Sequence, residues 1–453
     1  MKKTIKISLV SIALSCQFIY AQVGVSSGSV SLVRSNGFGS TNEKGNLNER
    51  SVIVEDFMNF HKHNILIPTQ ADVALSVDYD NKIAANSKEF ILQIGLATKN
   101  AKIQDRQNQV NVSLVLDCSG SMDGFKIEKV KSAMKKFVEG LDDNDILSII
   151  SFDDRAKVVL GAKKIGNDKT QLYKMIDGIY GGGSTNINDG MMFGYQEALK
   201  NHSKNINSRV ILLTDGMTNS GETNPEKIIL NSKTYNDKGI EISTIGVGDQ
   251  LDFDLLRQLS DAGNGSNYFI GENEEDIQKT FVDELQSLLF QIGKRPKVII
   301  ELPKNFKIKE FYGYQPQFLS DNKVSVNIEN LNSGVTQIFL LKVEKVSDAN
   351  TEIKVQLSYS KNDKNIIIEE NKRYNPKIES TNNELKKNYQ IALMASNLKK
   401  ASAEYSKNNL GNADSLIKET IDYIQLNSDL KDKDINRLFS ILKRLDTKRP
   451  VNY

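Results

Sequence analysis

Short apolar segments alternate with amphipathic segments between residues 109 and 289, and this alternation constrains the fold more than any other feature of the chain. The apolar segments have the length of strands, whereas the amphipathic ones repeat their apolar residues at helical spacing. The predicted strands are 110–116, 146–152, 157–160, 210–213, 240–247 and 268–270, and the predicted helices are 127–141, 172–179, 191–199, 225–235, 253–259 and 277–289. This order predicts a doubly wound α/β fold, a mostly parallel sheet with helices on both faces.

The segments on either side of this region alternate apolar and polar residues as strands do. Residues 71–96 predict two strands that have no partner nearby. Further strands are predicted at 297–302, 323–328, 335–343, 352–359 and 366–369. Because the first pair lacks a sheet, we expect both groups to join one β-sandwich into which the α/β domain is inserted.

A chain of 453 residues is too long for a single hydrophobic core and suggests several domains. Helical periodicity predicts a short helix near 54–60 and three C-terminal helices at 385–405, 413–424 and 435–445. The predicted division is a signal peptide at 1–21, a flexible leader at 22–50, an N-terminal segment with β-strands at 51–104, the α/β domain at 105–292, β-sandwich strands that pair with 71–96 at 293–372, and C-terminal helices at 380–453.

The first 21 residues have the layout of a secretory signal peptide. Three lysines within the first six residues precede an apolar stretch at 7–19, and the small residue Ala21 marks the expected cleavage point. A lipoprotein signal would instead make Cys16 the anchored residue, but apolar residues continue beyond it. The layout favours cleavage and predicts an exported protein that is periplasmic, located at the cell surface or secreted.

Removal of the signal peptide would change the charge and the cysteine content of the chain. Loss of its three lysines takes the formal net charge from +2 to −1, so no basic field favours nucleic acid as a partner. Later segments contain no run of 18 apolar residues, so we expect no transmembrane segment in the mature chain. Cys118 would then be the sole cysteine. We expect it to be a small buried packing residue whose thiolate is disfavoured beside Asp117.

Three predicted loops carry oxygen-bearing side chains to one edge of the α/β sheet. The strand that ends at Leu116 leads directly into Asp117, Ser119 and Ser121. A glycine-rich loop carries Thr185, and the strand that ends at Thr214 leads into Asp215. In a parallel sheet these loops follow the carboxyl ends of the strands, where ligands bind. Three hydroxyls and two carboxylates are hard donors, which suit Mg²⁺, Mn²⁺ or Ca²⁺ and disfavour Zn²⁺ or copper.

These motifs resemble the metal-ion-dependent adhesion site of von Willebrand factor type A domains. The family's Asp-x-Ser-x-Ser pattern falls on Asp117, Ser119 and Ser121, its threonine on Thr185, and its second aspartate, within Leu-Leu-Thr-Asp-Gly, on Asp215. The resemblance implies that the three hydroxyls contact the cation, while the two aspartates act through water or hydrogen bonds. It also implies that an Asp or Glu of a protein partner completes the coordination. The flanking segments resemble, less specifically, inter-alpha-trypsin-inhibitor heavy chains and their bacterial relatives.

The leading functional hypothesis is a metal-dependent, adhesion-type protein-binding module of the bacterial cell envelope. One alternative is an envelope scaffold whose cation serves only folding, and another is a metal-dependent hydrolase. Against catalysis, the α/β domain has one histidine, His202, which is predicted on a helix far from the carboxyl edge, and a serine nucleophile needs a base. We therefore expect no catalytic residues. Outside the domain, His61 and His63 are spaced as on one face of a strand, which could make a zinc pair, but the lack of a third ligand favours an ordinary surface pair.

Overall fold

The computed structural model describes residues 49, 52–83, 88–100, 109–248, 250–270, 274–345, 351–362, 364–375 and 382–447. The predicted signal peptide with Cys16 and the predicted leader up to residue 48 lie outside the described residues. Among the helices that are described, none combines the length and the apolar character that a membrane span requires.

The helices and strands are numbered in chain order. The N-terminal segment contains α1 (Val54–Met58), β1 (Val73–Asp80) and β2 (Glu89–Thr98). The α/β region contains β3 (Gln109–Asp117), α2 (Phe125–Glu139), β4 (Ile146–Phe152), β5 (Ala156–Lys164), α3 (Thr170–Asp177), α4 (Ile187–Leu199), β6 (Ile206–Thr214), α5 (Pro225–Asn236), β7 (Glu241–Val247), α6 (Phe253–Ala262), β8 (Asn264–Ile270) and α7 (Glu274–Leu289). It is followed by β9 (Gln291–Glu301), β10 (Phe306–Tyr312), β11 (Gln317–Ser320), β12 (Lys323–Asn327), β13 (Leu331–Asn332), β14 (Thr336–Lys345), β15 (Thr351–Lys361) and β16 (Lys364–Tyr374). The last helices are α8 (Asn383–Ser406), α9 (Leu410–Asn427) and α10 (Lys433–Thr447).

The α/β region forms a six-stranded sheet in the order β5-β4-β3-β6-β7-β8, parallel except for the β4–β5 pair. Its central strands β3 and β6 are largely buried on both faces because helices cover both. On β3, Leu114 and Leu116 pack with α2, α3 and α7, whereas Val115 packs with α4, α5 and α6 on the other face. The doubly wound α/β class is thus confirmed. The strand order reverses between β3 and β6, so a crevice at their carboxyl ends is where ligands bind in such sheets.

Two antiparallel sheets flank this region and share one apolar core. The first has the order β1-β2-β14-β10, and the second has the order β11-β12-β9-β15-β16 with β13 also paired to β9. In the first sheet Ile94 of β2 lies opposite Phe339 of β14, although the whole α/β region separates them in sequence. Leu92 and Ile94 pack in the same core as Val298 and Leu357 of the second sheet. The extra strands therefore form a sandwich whose chain is interrupted by the α/β region.

The C-terminal helices cover the outer face of the first sheet. Leu385 and Ala392 of α8 belong to a core that also contains Phe57 of α1 and Ile338 and Leu340 of β14. Neighbouring residues of β14, such as Phe339, face the core between the two sheets. The first sheet is thereby buried on both faces, which explains why β2 and much of β14 have few exposed residues.

Some strands differ from the sequence predictions. Strands β10 and β11 were not predicted, and β9 begins at Gln291 instead of residue 297. The four residues of β11 are all exposed, so no face has to be apolar, and a register shift between Ile308 and Glu310 interrupts the alternation of β10. The prediction for His202 was also wrong, because α4 ends at Leu199 and this histidine lies in the following loop.

Candidate metal centre

The first loop of the candidate centre is held by Asp117, the last residue of β3. One carboxylate oxygen accepts a hydrogen bond from the backbone N–H of Ser119 (2.8 Å), and the other accepts one from the hydroxyl of Thr214 at the end of β6. The carboxylate is fully buried. Asp117 therefore fixes the turn and joins the ends of the two central strands.

The serine hydroxyls of the first loop face the aspartate of the third. The Ser119 and Ser121 Oγ atoms lie 3.1 Å apart, and the Ser121 hydroxyl donates to Asp215 Oδ1 (2.7 Å). The other oxygen of Asp215 accepts a hydrogen bond from Lys126 Nζ at 2.8 Å. These contacts bring two hydroxyls and a buried carboxylate from separate loops to one point.

The second loop brings Thr185 to the same place. Backbone hydrogen bonds from Gly120 N–H to the carbonyl of Gly183 (3.0 Å) and from Gly182 N–H to the carbonyl of Cys118 (2.6 Å) join it to the first loop. The Thr185 N–H donates to the side-chain oxygen of Asn219 (2.8 Å), which follows Asp215 in the third loop. Gly183 has a φ of 83°, and a Cβ there would lie 3.2 Å from the Asp153 side chain, so this turn favours glycine.

The hydroxyls of Thr185 and Ser121 both lie beside Gly216. A Cβ added to that glycine would stand 3.4 Å from Thr185 Oγ1 and 3.7 Å from Ser121 Oγ. Within the described residues, the structure thus brings all five predicted site residues to the carboxyl edge of β3 and β6. Sequence reasoning missed Lys126, Thr214 and Asn219; the signal for Thr214 was its place in the Leu-Leu-Thr-Asp-Gly motif.

The electrostatics of the centre favour binding of a cation. Burial raises the pKa of Asp117 to about 6 against the opposing effect of its hydrogen bonds, and the nearby charge of Asp215 raises it further. Among the described residues, Lys126 is the one cation that pairs with these two buried carboxylates, which leaves a net negative charge beside three neutral hydroxyls. A divalent cation that prefers oxygen ligands fits this donor set.

Cys118 and the three histidines take no part in this cluster. Cys118 is a buried free cysteine, as predicted, and burial with the neighbouring Asp117 charge raises the pKa of its thiol to about 12. His202 binds Ser208 Oγ and the carbonyl of Lys238, both at 2.9 Å, near the amino end of β6. The prediction of a surface pair at His61 and His63 was wrong, because both side chains are buried in a segment without strand structure.

Comparison with protein families and known structures identifies the α/β region. Residues 111–283 match the model of the von Willebrand factor type A domain. The chain contains a von Willebrand factor type A domain. Domains of this family are often metal-dependent protein-interaction modules.

Relatives of this chain include bacterial and animal proteins. It is 35% identical to an uncharacterised protein of Synechocystis sp. over 211 residues, covering 46% of this chain and 49% of the other. It is 27% identical to mouse inter-alpha-trypsin inhibitor heavy chain H3 over 238 residues, covering 50% of this chain and 26% of the other. The matched region thus spans half or less of these relatives.

A solved von Willebrand factor type A structure from Catenulispora acidiphila resembles more than the α/β region. The alignment covers 83% of this chain and 95% of the other, with a TM-score of 0.57 and 15% identity. At this identity the likeness concerns the fold alone. It extends beyond the α/β region, which spans residues 109–289.

Proposed function

We propose that this protein is a metal-dependent protein-binding module of the bacterial cell envelope. Ser119, Ser121 and Thr185 would hold one Mg²⁺, Mn²⁺ or Ca²⁺ ion, with Asp117 and Asp215 supporting them, and the ion would attract an Asp or Glu carboxylate of the partner. The observation that carries the proposal is the convergence of three loops on Ser121. Its hydroxyl contacts Ser119 Oγ and Asp215 Oδ1, and it lies beside Gly216, as the hydroxyl of Thr185 does. Neutral hydroxyl ligands leave the cation electrophilic, and a carboxylate is a strong ligand for it.

Export is part of this proposal and rests on the signal-peptide layout of residues 1–21. We assign no catalytic role, because the two histidines outside the domain and His202 within it all lie away from the carboxyl edge. The carboxylates bonded to the two serines are Asp117, which accepts from the Ser119 N–H, and Asp215, which accepts from the Ser121 hydroxyl, and we assign both to support of the cation and not to the role of a free general base. A hydrolase would require such a group.

Exposed apolar side chains near the candidate ligands in sequence indicate what kind of partner surface would bind here. Three such side chains lie within a few residues of the candidate ligands in sequence: Phe125 at the start of α2 is 73% exposed, Tyr180 in the second loop 79% and Met217 in the third loop 57%. Side chains of this size at a protein surface commonly mark an interaction site when they lie together. The partner surface that fits this rim has one acidic residue flanked by apolar side chains, so that burial of the rim excludes water from the ion–carboxylate contact.

Metal binding is tested first without a partner. Mg²⁺ should raise the melting temperature of the full chain, because a ligand that binds only the folded state stabilises it. Asp117→Ala should remove this shift, whereas Ser184→Ala, which deletes a hydroxyl from the loop of Thr185 at a position outside the candidate set, should keep it. An equal Mg²⁺ shift in the Asp117→Ala protein would place the cation elsewhere and contradict the proposed site.

Partner recognition is tested by capture from the organism's own envelope fraction. Chelator should release the captured partner, and Thr185→Ala should weaken its binding while the domain still folds. Phe125→Ser should weaken binding by roughly tenfold, the cost expected for one important interface side chain, yet leave the Mg²⁺ shift unchanged. A partner that binds the Asp117→Ala protein with unchanged affinity would refute metal bridging. If Mg²⁺ stabilises the protein but chelator releases no partner, the scaffold alternative, with a cation that serves only folding, is favoured.

A further inference from the structure

A second cluster of metal-ligand side chains lies outside the α/β region, between the N-terminal segment and the C-terminal helices. His61 and His63 follow α1, and their rings meet edge to face with centroids 4.6 Å apart. The His61 side chain is only 8% exposed, and the His63 residue as a whole is 3% exposed. Two adjacent imidazoles buried at a junction of chain segments require an explanation, since each has two nitrogens that need a hydrogen-bond partner or a metal ion.

The hydrogen bonds of Asn59 fix which nitrogen of His63 has the proton. Asn59 Oδ1 accepts from the backbone N–H of Ile338 (2.8 Å), and its Nδ2 donates to the carbonyl of Glu55 and to the Tyr314 oxygen. The amide orientation is thereby set, so His63 Nε2, 3.1 Å from Asn59 Oδ1, must donate. His63 Nδ1 then has a lone pair, and it has no hydrogen-bond partner among the described residues.

His61 is held in the same manner. Its Nε2 lies 3.2 Å from Asn388 Oδ1, and the Asn388 amide in turn donates to Gln93 Oε1 (2.9 Å). The Nδ1 of His61 is also buried without a hydrogen-bond partner in the described part of the chain. Burial lowers the pKa of both imidazoles, which keeps them in the neutral form that binds metals. Metal-binding histidines typically anchor their second nitrogen on an oxygen acceptor, as both do here.

A carboxylate completes the set. His61, His63 and Glu384 of α8 can each offer one ligand atom such that all three atoms lie within 4.8 Å of one another. Tetrahedral zinc with bonds of about 2.0–2.1 Å requires ligand atoms roughly 3.4 Å apart. Glu384 Oε1 lies 4.0 Å from His61 Nε2, so this side chain, which is 31% exposed, would have to turn towards the Nδ1 side to join the two free lone pairs. Asp434 of α10 brings a second carboxylate to 4.0 Å from His61 Nδ1.

The surrounding charges also suit an added cation. Glu384, Asp432 and Asp434 surround Lys387 Nζ at 3.6, 3.7 and 3.3 Å, and Arg437 lies 3.4 Å from Asp434. Three carboxylates thus face two fixed cations, and Lys387 retains two aspartates if Glu384 turns towards the histidines.

We propose that His61, His63 and Glu384 bind a transition-metal ion of the zinc class, with Asp434 as the neighbouring fourth group. Two imidazoles and a carboxylate select Zn²⁺ over Mg²⁺ or Ca²⁺, in contrast to the all-oxygen set of the candidate centre in the α/β region. The ion joins the segment after α1 to α8 and α10, so it fastens the C-terminal helices to the sandwich. This site is independent of the proposed binding function.

The test uses the full-length chain with Asp117→Ala, which removes the other candidate centre. Zinc titration followed by mass spectrometry should show one Zn²⁺ per chain, and Co²⁺ should give the visible spectrum of a tetrahedral nitrogen and oxygen site. Excess Mg²⁺ should not displace either ion. Adding Glu384→Gln should weaken Zn²⁺ binding at least tenfold, while the melting temperature in chelator stays unchanged because this side chain is partly exposed.

Glu404→Gln, the same substitution at the other end of α8, is the matched control and should leave the Zn²⁺ affinity unchanged. His61→Gln should weaken Zn²⁺ binding and abolish the Co²⁺ spectrum. The inference is overturned if the Asp117→Ala protein binds no stoichiometric Zn²⁺. It is also overturned if neither Glu384→Gln nor His61→Gln, added to that protein, changes its Zn²⁺ affinity. Buried water molecules would then be the hydrogen-bond partners of the Nδ1 atoms of His61 and His63.

Discussion

Lys126 places a positive charge against one of the two candidate acidic groups of the metal centre. Its Nζ lies 2.8 Å from Asp215 Oδ2, and Asp215 is almost fully buried. This contact balances the buried carboxylates when no cation is bound, and it opposes a cation by Coulomb repulsion. Lys126→Met should therefore lower the melting temperature in chelator and raise Mg²⁺ affinity by roughly tenfold, about 1.4 kcal/mol, a modest part of the repulsion between charges a few ångströms apart.

The control for this substitution is Lys136→Met on the same helix, ten residues farther on and about 15 Å away along its axis. Lys136 binds Gln278. Isothermal titration with Mg²⁺ should give the wild-type affinity for this control. Equal affinities for both variants would show that Lys126 does not oppose the cation.

At the residue scale, the sequence predicted the candidate ligands but not their neighbours. The positions of Asp117, Ser119 and Ser121 follow from a strand that ends in a hydroxyl-rich turn, and their spacing is local. Lys126 could not be assigned, because a lysine in the first turn of a helix usually faces solvent. Glu384 could not be linked to His61 for a different reason: 322 residues separate them, and only the packing of α8 brings them together.

At the element scale, the burial of the histidines makes the junction of the N-terminal segment with α8 and α10 sensitive to acid. Burial, aided by the charges of His61 and Lys387, lowers the pKa of His63 well below its ordinary value of about 6.5. As the pH falls through that ordinary value, the unfolded chain binds a proton that the folded chain cannot accept. The free energy of unfolding therefore decreases, by up to about 1.4 kcal/mol per pH unit for each such histidine, until the lowered pKa is reached.

Urea unfolding in chelator at about pH 7 and about pH 5, on either side of the ordinary histidine pKa, measures this loss. His63→Gln should lose less stability than the wild-type chain over the interval, because glutamine does not titrate. The carboxylates that face the pair, Glu384, Asp432 and Asp434, are present in both proteins and cancel in the comparison. Parallel losses in the two proteins would show that His63 does not cause the acid sensitivity.

Elements with one or two buried faces were predictable, and those without a buried face were not. The strands β3 and β6 are apolar along nearly their whole length because helices cover both sides of the sheet. By contrast, β11 is exposed throughout, and its strand structure depends on pairing with β12. No periodic pattern in the sequence indicates a strand whose only requirement is a partner for its backbone.

At the scale of the whole molecule, the sandwich depends on strands from both sides of the α/β region. Phe90, Leu92, Ile94 and Leu96 of β2 are completely buried, and all four pack in the core that the two sheets share. Burial of four large apolar side chains contributes roughly 6–12 kcal/mol, which is comparable to the whole stability of a typical domain. The unpaired strands at 71–96 indicated a missing sheet in the sequence, but the register of β2 on β14 is determined only by three-dimensional packing.

We therefore predict that residues 105–292 fold alone and that residues 293–372 do not. In the first fragment the six-stranded sheet and both layers of helices are complete, and Arg209 keeps its buried ion pairs with Glu241 and Glu284 although Glu241 loses Lys294. The second fragment lacks β1 and β2, so β14 has no partner on one edge. Circular dichroism should show one cooperative thermal transition for 105–292, with a Mg²⁺ shift like that of the full chain, and none for 293–372. A cooperatively folded 293–372 fragment would contradict the inserted-domain arrangement, because its core would then not need the strands that precede the α/β region.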